Sequence, residues 1–384
     1  MAGKHQTLKI VQGSPSFRIA NAEVEVFLTK AGGHMGPVTF DRKNRKIRPY
    51  SVAPWVKERL KPGTPPIIKV LRGDFFCMPF GGNDTSYRGE QHPIHGETAN
   101  AAWTFKGVEK DGARQTLHAS LRTKVRKGQV DKSIGLVAGH NAVYLRHVLR
   151  GMSGPMNFGH HAMLKFPEKP GSGLISTSPF VVGQTCPVPA ENPAEKGYSS
   201  LRPNTEFTDL SAVPAMTGEL ADLSRFPARK GYEDIVMTIA DDRLAFAWTS
   251  VSFPAERYVW FSLKNPRVLT GTVFWISNGG RHYAPWNGRH TGVVGVEDVT
   301  SYFHFGLAES VRKNPISERG YPTALRLNPR QPLAVNYIMG IAKTPRGFGR
   351  VKQIEPEDAG RVVLVDEEGR SVKTPIDIDF LDIA

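Results

Sequence analysis

Thirty-eight glycines and 29 prolines are scattered over the whole of this 384-residue chain. Proline fixes φ and lacks an N–H, and glycine weakens both helices and strands, so each acts as a break. Breaks this frequent leave segments of strand length, whereas a stable helix needs three or more turns. The segments read accordingly. Ala22–Val26 alternates polar and apolar residues, and Ile235–Ile239, Leu244–Trp248, Tyr258–Leu263 and Val273–Ile276 are rich in branched and aromatic residues. Trp103–Phe105 and Gln115–Leu121 flank a Lys110-Asp111-Gly112 turn, and Val362–Val365 and Ser371–Thr374 flank Glu367-Glu368-Gly369. Both patterns predict hairpins.

Helical signals are confined to Val52–Leu60, with Pro54 in its first turn, and Ser301–Val311, which stops before Asn314-Pro315. Pro187–Leu201 reads as a long surface loop rather than a boundary, because strand-like runs flank it. No fixed-period repeat points to a propeller or solenoid. The pattern predicts a mainly β chain of two large sheets packed face to face, forming a single domain over residues 1–384.

Two cysteines, Cys77 and Cys186, cannot form a disulfide framework. The first residues lack the apolar core of a secretory leader, and no run of about 18 apolar residues occurs. A cytoplasmic protein with no membrane span is expected. The formal charge of +14 raises nucleic acid as a partner. The excess, however, gathers between Asp41 and Arg72, where ten basic residues meet two acids, and no RNA-binding aromatic signature or zinc-finger spacing accompanies it. No nucleic-acid partner is expected. A basic mouth for an acidic or phosphorylated sugar is the functional reading of that stretch, and a solvated surface the plain one.

Three clusters could carry chemistry. Cys77–Asn83 leads to His92-Pro93-Ile94-His95-Gly96-Glu97 and then Trp103, a glycine-rich loop offering imidazoles and an amide. Gly159-His160-His161-Ala162-Met163-Leu164 puts two adjacent imidazoles on a strand, where they must face opposite sides. Asn278–His290 mixes Arg281, Trp286, amides and imidazoles, the blend a sugar site needs, and Val293–Val296 ends in the carboxylate of Glu297. Zinc, iron or manganese on His92, His95 and Glu97 is the metal alternative, but an i, i+3 pair does not share a strand face.

In this order, His95-Gly96 with Trp103, His161-Ala162-Met163-Leu164 and Gly295-Val296-Glu297 resemble the aldose 1-epimerase (galactose mutarotase-like) superfamily. The resemblance implies a β-supersandwich of mostly antiparallel sheets and an isomerase that interconverts sugar anomers without metal or organic cofactor. It implies Glu297 as the base on the anomeric hydroxyl and His161 as the acid on the ring oxygen. By the same resemblance His95, Asp234, Asn83 and Arg88 would bind the sugar; His160, the other candidate for the acid, and Trp286 and Arg281 from the late loop are expected to line the site beside them. His160 stands where the family has an asparagine, which keeps a non-catalytic carbohydrate-binding protein as the alternative.

Overall fold

A computed structural model describes residues 8–357 and 360–383. Two antiparallel sheets dominate it. The first runs, edge to edge, through Glu206–Phe207, Phe180–Thr185, Glu233–Ala240, Gly271–Ser277, Val293–Thr300, Phe158–His160 and Phe76–Cys77, with Ala162–Lys165 also paired to Val293–Thr300. The second runs through Arg225–Phe226, Gly173–Thr177, Ala247–Phe253, Tyr258–Lys264, Leu333–Lys343, Ala142–Arg150, Gly128–Val137, Arg114–Thr123 and Thr104–Asp111. Both expected hairpins are present, at 104–123 and at 361–375.

Alternation along the strands sorts side chains into layers. Val236, Phe274, Ile276, Val294 and Val296 from the first sheet meet Val251, Trp260, Tyr337 and Met339 from the second in one core. The other face of the second sheet packs Tyr144, Phe261, Leu263 and Ile338 against Ile354, Val362 and Leu364 of a C-terminal three-stranded sheet. The outer face of the first sheet carries Ile235, Met237, Val273, Trp275 and Met163, and here the cover is loops: Trp55, Leu71, Phe75, Phe80, Trp286 and Phe303. A sheet roofed by loops leaves room for a recess, as a sheet covered by another sheet does not.

The two expected helices are corrected. Residues 52–60 form turns, and the Trp55 indole bonds back to the Ile68 carbonyl at 2.8 Å, tying them to a one-turn helix at Pro66–Lys69. The second helix is only Leu307–Val311, because Phe303 and Gly306 hold φ at +47° and +126°, values a right-handed helix excludes. Residues 187–201 form an irregular loop with one 3-10 turn, Pro193–Glu195. Among the described residues, no helix is long and apolar enough to cross a membrane.

Candidate active site

On the strand Val293–Thr300, Val294 and Val296 point between the sheets, so Glu297 must point to the loop-covered face. Ala162 pairs with Val296, which sets His161 beside Glu297 on that face. The imidazole Nε2 lies 3.1 Å from the carboxylate Oε1, and the side chains are 6% and 3% exposed. Gly295 makes the pairing possible: a Cβ there would stand 2.6 Å from Glu297 Oε1.

The rest of the cavity is built around this pair. Phe75 stacks on the His161 ring at 4.5 Å, and Asp74 Oδ1 accepts the His161 backbone N–H at 3.1 Å. His95 meets His161 edge to face at 5.0 Å. Its loop is shaped by Gly96, where a Cβ would lie 1.9 Å from the Met78 carbonyl. Because the Gly81 N–H donates to His95 Nδ1 at 3.3 Å, the neutral ring keeps its proton on Nε2, where it can serve as a donor. Trp275, Trp286, Ile235, Arg281 and His304 complete the wall. The Arg281 guanidinium rests over the Trp286 and Trp275 rings, 4.6 and 5.1 Å from their centroids, and Glu191 holds its Nε at 2.5 Å. Glu191 belongs to the 187–201 loop, so that loop anchors the arginine. Behind the wall, Glu233 accepts bonds from the Trp275 indole at 2.9 Å, Ser277 Oγ at 2.9 Å and the Gly280 N–H.

Burial sets the electrostatics. It pushes the Glu297 carboxyl well above its ordinary range, against the opposing pull of Arg281. It pushes His161 down to about 3. Burial therefore favours the neutral form of each partner. Burial lowers His95 well below its ordinary value, with the nearby His161 adding to the effect, and lowers His304 to about 4. It raises Glu233 to about 7, although Arg281 opposes the shift. Arg281 itself is held charged: Glu233 and Glu191 outweigh the cost of burying it.

Of the residues expected from the sequence, Glu297, His161, His95, Trp286 and Arg281 share this cavity. Four lie elsewhere. His160 points between the sheets, bonded to Asp74 at 3.0 Å and stacked on Tyr337 at 4.2 Å, because adjacent strand residues alternate. Asp234 is turned away from the cavity-lining Ile235 by the same alternation, and its carboxylate accepts from Ser200 N and Oγ and from Leu201 N. Asn83 is a loop clasp: its amide donates to three carbonyls and its Oδ1 accepts from Leu307 N at 3.0 Å. Arg88 is exposed over the Tyr87 ring. The metal alternative finds its residues dispersed. His92 bonds Glu90 at 3.0 Å, and Glu97 accepts from Lys124 N and Val125 N. Sequence reasoning missed His304, Trp275, Phe75, Glu233 and Glu191. Period-two counting from Ile235 brings out Glu233, whereas the cross-strand register that brings Trp275 to Ile235 and the loop contacts across long separations leave no such signal.

No family model matches the sequence, and no curated protein does. Solved structures do match. A galactose mutarotase related enzyme from Lactobacillus acidophilus shares 12% identity, with 86% of this chain and 99% of that one covered and a TM-score of 0.54. A galactose mutarotase-like protein from Clostridium acetobutylicum shares 13% identity over 88% and 98% of the two chains, with a TM-score of 0.56. A Klebsiella pneumoniae protein provisionally named an aldose 1-epimerase shares 13% over 88% and 82%, with a TM-score of 0.58. With two sheets in this order and a loop-roofed outer face, the chain has the galactose mutarotase-like fold.

Proposed function

We propose that the protein interconverts the anomers of a free sugar by general acid–base catalysis at Glu297 and His161. The observation that carries this reading is the 3.1 Å approach of Glu297 Oε1 and His161 Nε2 inside a cavity walled by tryptophans, His95 and Arg281. The hydroxyl and ring oxygens of a hemiacetal sit on the same carbon, so two groups this close can each reach one of them. One group removes the hydroxyl proton while the other protonates the ring oxygen. The C1–ring oxygen bond breaks, leaving an aldehyde and a hydroxyl; rotation about C1–C2 and closure on the other face return both protons.

Family resemblance assigns Glu297 as base and His161 as acid; burial favours the neutral carboxyl and the neutral imidazole at rest. The two descriptions visit the same pair of proton placements. If the Glu297 carboxyl first protonates the ring oxygen while Nε2 takes the hydroxyl proton, the midpoint is carboxylate plus imidazolium, which is the other starting state. Both steps are proton transfers within this pair, and His95 Nε2–H is poised to donate to a sugar oxygen. Arg281 is flanked by Glu191 and Glu233, so the cavity offers no surplus of positive charge, and an uncharged pyranose suits it better than a phosphorylated one. The test is polarimetry or NMR on pure anomers of neutral, uronic and phosphorylated sugars. Faster equilibration of at least one neutral sugar is expected. No acceleration across the panel would refute the proposal.

A further inference from the structure

A second recess, about 900 Å³ in volume, opens on the other side of the tryptophan wall. His290 forms the partition: its ring stacks on Trp275 at 5.4 Å and meets the edge of Trp286 at 5.2 Å, while the residue itself lines the second recess. The lining is strongly biased in charge. Arg48, Lys165, Arg229, Lys230 and Arg289 stand against the single acid Glu168. Neutralisation from behind is incomplete. Glu58 cancels Arg289 with paired contacts of 2.6 and 2.7 Å. Asp234 lies 3.8 Å from Arg229 Nε, but that carboxylate already accepts three bonds from Ser200 and Leu201. Among the described residues, Arg48 donates to the neutral Thr39 hydroxyl at 3.0 Å. Lys165 and Lys230 are exposed at the rim.

The geometry points to a binding site for a small molecule bearing two or more anionic groups, phosphate or carboxylate, separate from the catalytic cavity. Concave walls of one charge sign focus the field and concentrate a counter-charged ligand. The arginine forks match planar or tetrahedral oxyanions, and the rim lysines add mobile point charges. A bounded recess of this size is in the range of small-ligand sites. A nucleic acid is disfavoured because the aromatic residues present, Tyr50 and Phe166, are buried in the core rather than offered as stacking platforms.

Calorimetric titration of the full-length protein with tripolyphosphate, citrate and a short single-stranded oligonucleotide tests the assignment, and the first two separate phosphate from carboxylate chemistry. Saturable binding of tripolyphosphate or citrate that weakens with added salt is expected. Lys165→Ala/Lys230→Ala, both at exposed positions, should weaken it about tenfold or more. Glu297→Gln should leave it unchanged. The assignment fails if neither small anion binds at millimolar concentration, if the double variant binds as the wild type does, if Glu297→Gln abolishes binding, or if the oligonucleotide is preferred.

Discussion

Burial acts in opposite directions on Glu297 and His161, favouring the neutral form of each, and the outcome is a pair that keeps one proton over a wide pH range. A second proton must enter an imidazole lowered to about 3, and the single proton leaves only from a raised carboxyl. Catalysis by the one-proton pair should therefore persist on the acid side down toward about pH 3 and on the basic side well above the ordinary carboxyl value of 4.5. A rate profile confined between the ordinary values of 4.5 and 6.5 would contradict this assignment. Gly295 is the residue that lets the pair exist. In Gly295→Ala the new methyl would crowd Glu297 Oε1 from 2.6 Å, displacing the carboxylate from Nε2. Anomer exchange should drop roughly 100-fold, the cost that misplacement of about 1 Å brings, and because the methyl would also stand 3.2 Å from Trp275 Cβ the unfolding midpoint should fall as well.

Single strands carry two unrelated jobs on their two faces. Glu297 faces the cavity, whereas Asp298 faces the space between the sheets, where Lys264 Nζ, Thr272 Oγ1, Ser262 Oγ and Tyr337 Oη surround it at 2.6 to 2.9 Å. Burial alone would raise the Asp298 carboxyl, but the Lys264 ammonium together with the bonds from Thr272 and Tyr337 holds it below its ordinary value. Asp298→Asn leaves that ammonium buried without its counter-charge, and should cost about 3–5 kcal/mol in urea unfolding. Adding Lys264→Met should restore much of the loss. The same alternation explains what was legible. The adjacent pair His160-His161 announces that one imidazole faces a cleft, and the Gly-Val-Glu run places a carboxylate at an apolar strand. Which face is the cleft depends on what covers each sheet, and that is decided by loops hundreds of residues away. Asp234 was accordingly expected where its neighbours Glu233 and Ile235 prove to face the cavity and its back wall.

Across the whole molecule, the glycine and proline punctuation made the two-sheet architecture readable, along with both hairpins. The third, C-terminal layer was not readable, since its strands look like any others until Ile354 and Leu364 are seen against Phe261 and Ile338. Nor were the helices at 52–60 and 301–311 correctly bounded, because tertiary contacts and positive φ values overrode local pattern. One consequence of the fold is collective. His34, His147, His161 and His290 are buried and lowered, chiefly by desolvation. Their neutral forms contribute stability that is fully present above the unfolded value near 6.5 and is lost as pH falls toward their folded values. Glu297 and Glu233 act with the opposite sign, losing stability as pH rises, in the case of Glu233 through about 7. With His95 and His304 lowered in the same way, six imidazoles stand against two carboxyls on the acid side, and the urea midpoint should fall steadily below pH 6.5, each histidine contributing up to ~1.4 kcal/mol per pH unit. A midpoint insensitive to pH in that window would show that these imidazoles are not held neutral.

The claim on which the account rests is that Glu297 and His161 work together on one bound sugar ring. It is tested most directly by measuring anomer exchange and sugar affinity side by side in the wild-type protein and in Glu297→Gln, using the sugar that responds best in the panel. The account predicts that the amide variant binds that sugar within a few-fold of the wild type and returns exchange to the uncatalysed rate. Exchange that survives the substitution would place the chemistry somewhere other than this pair.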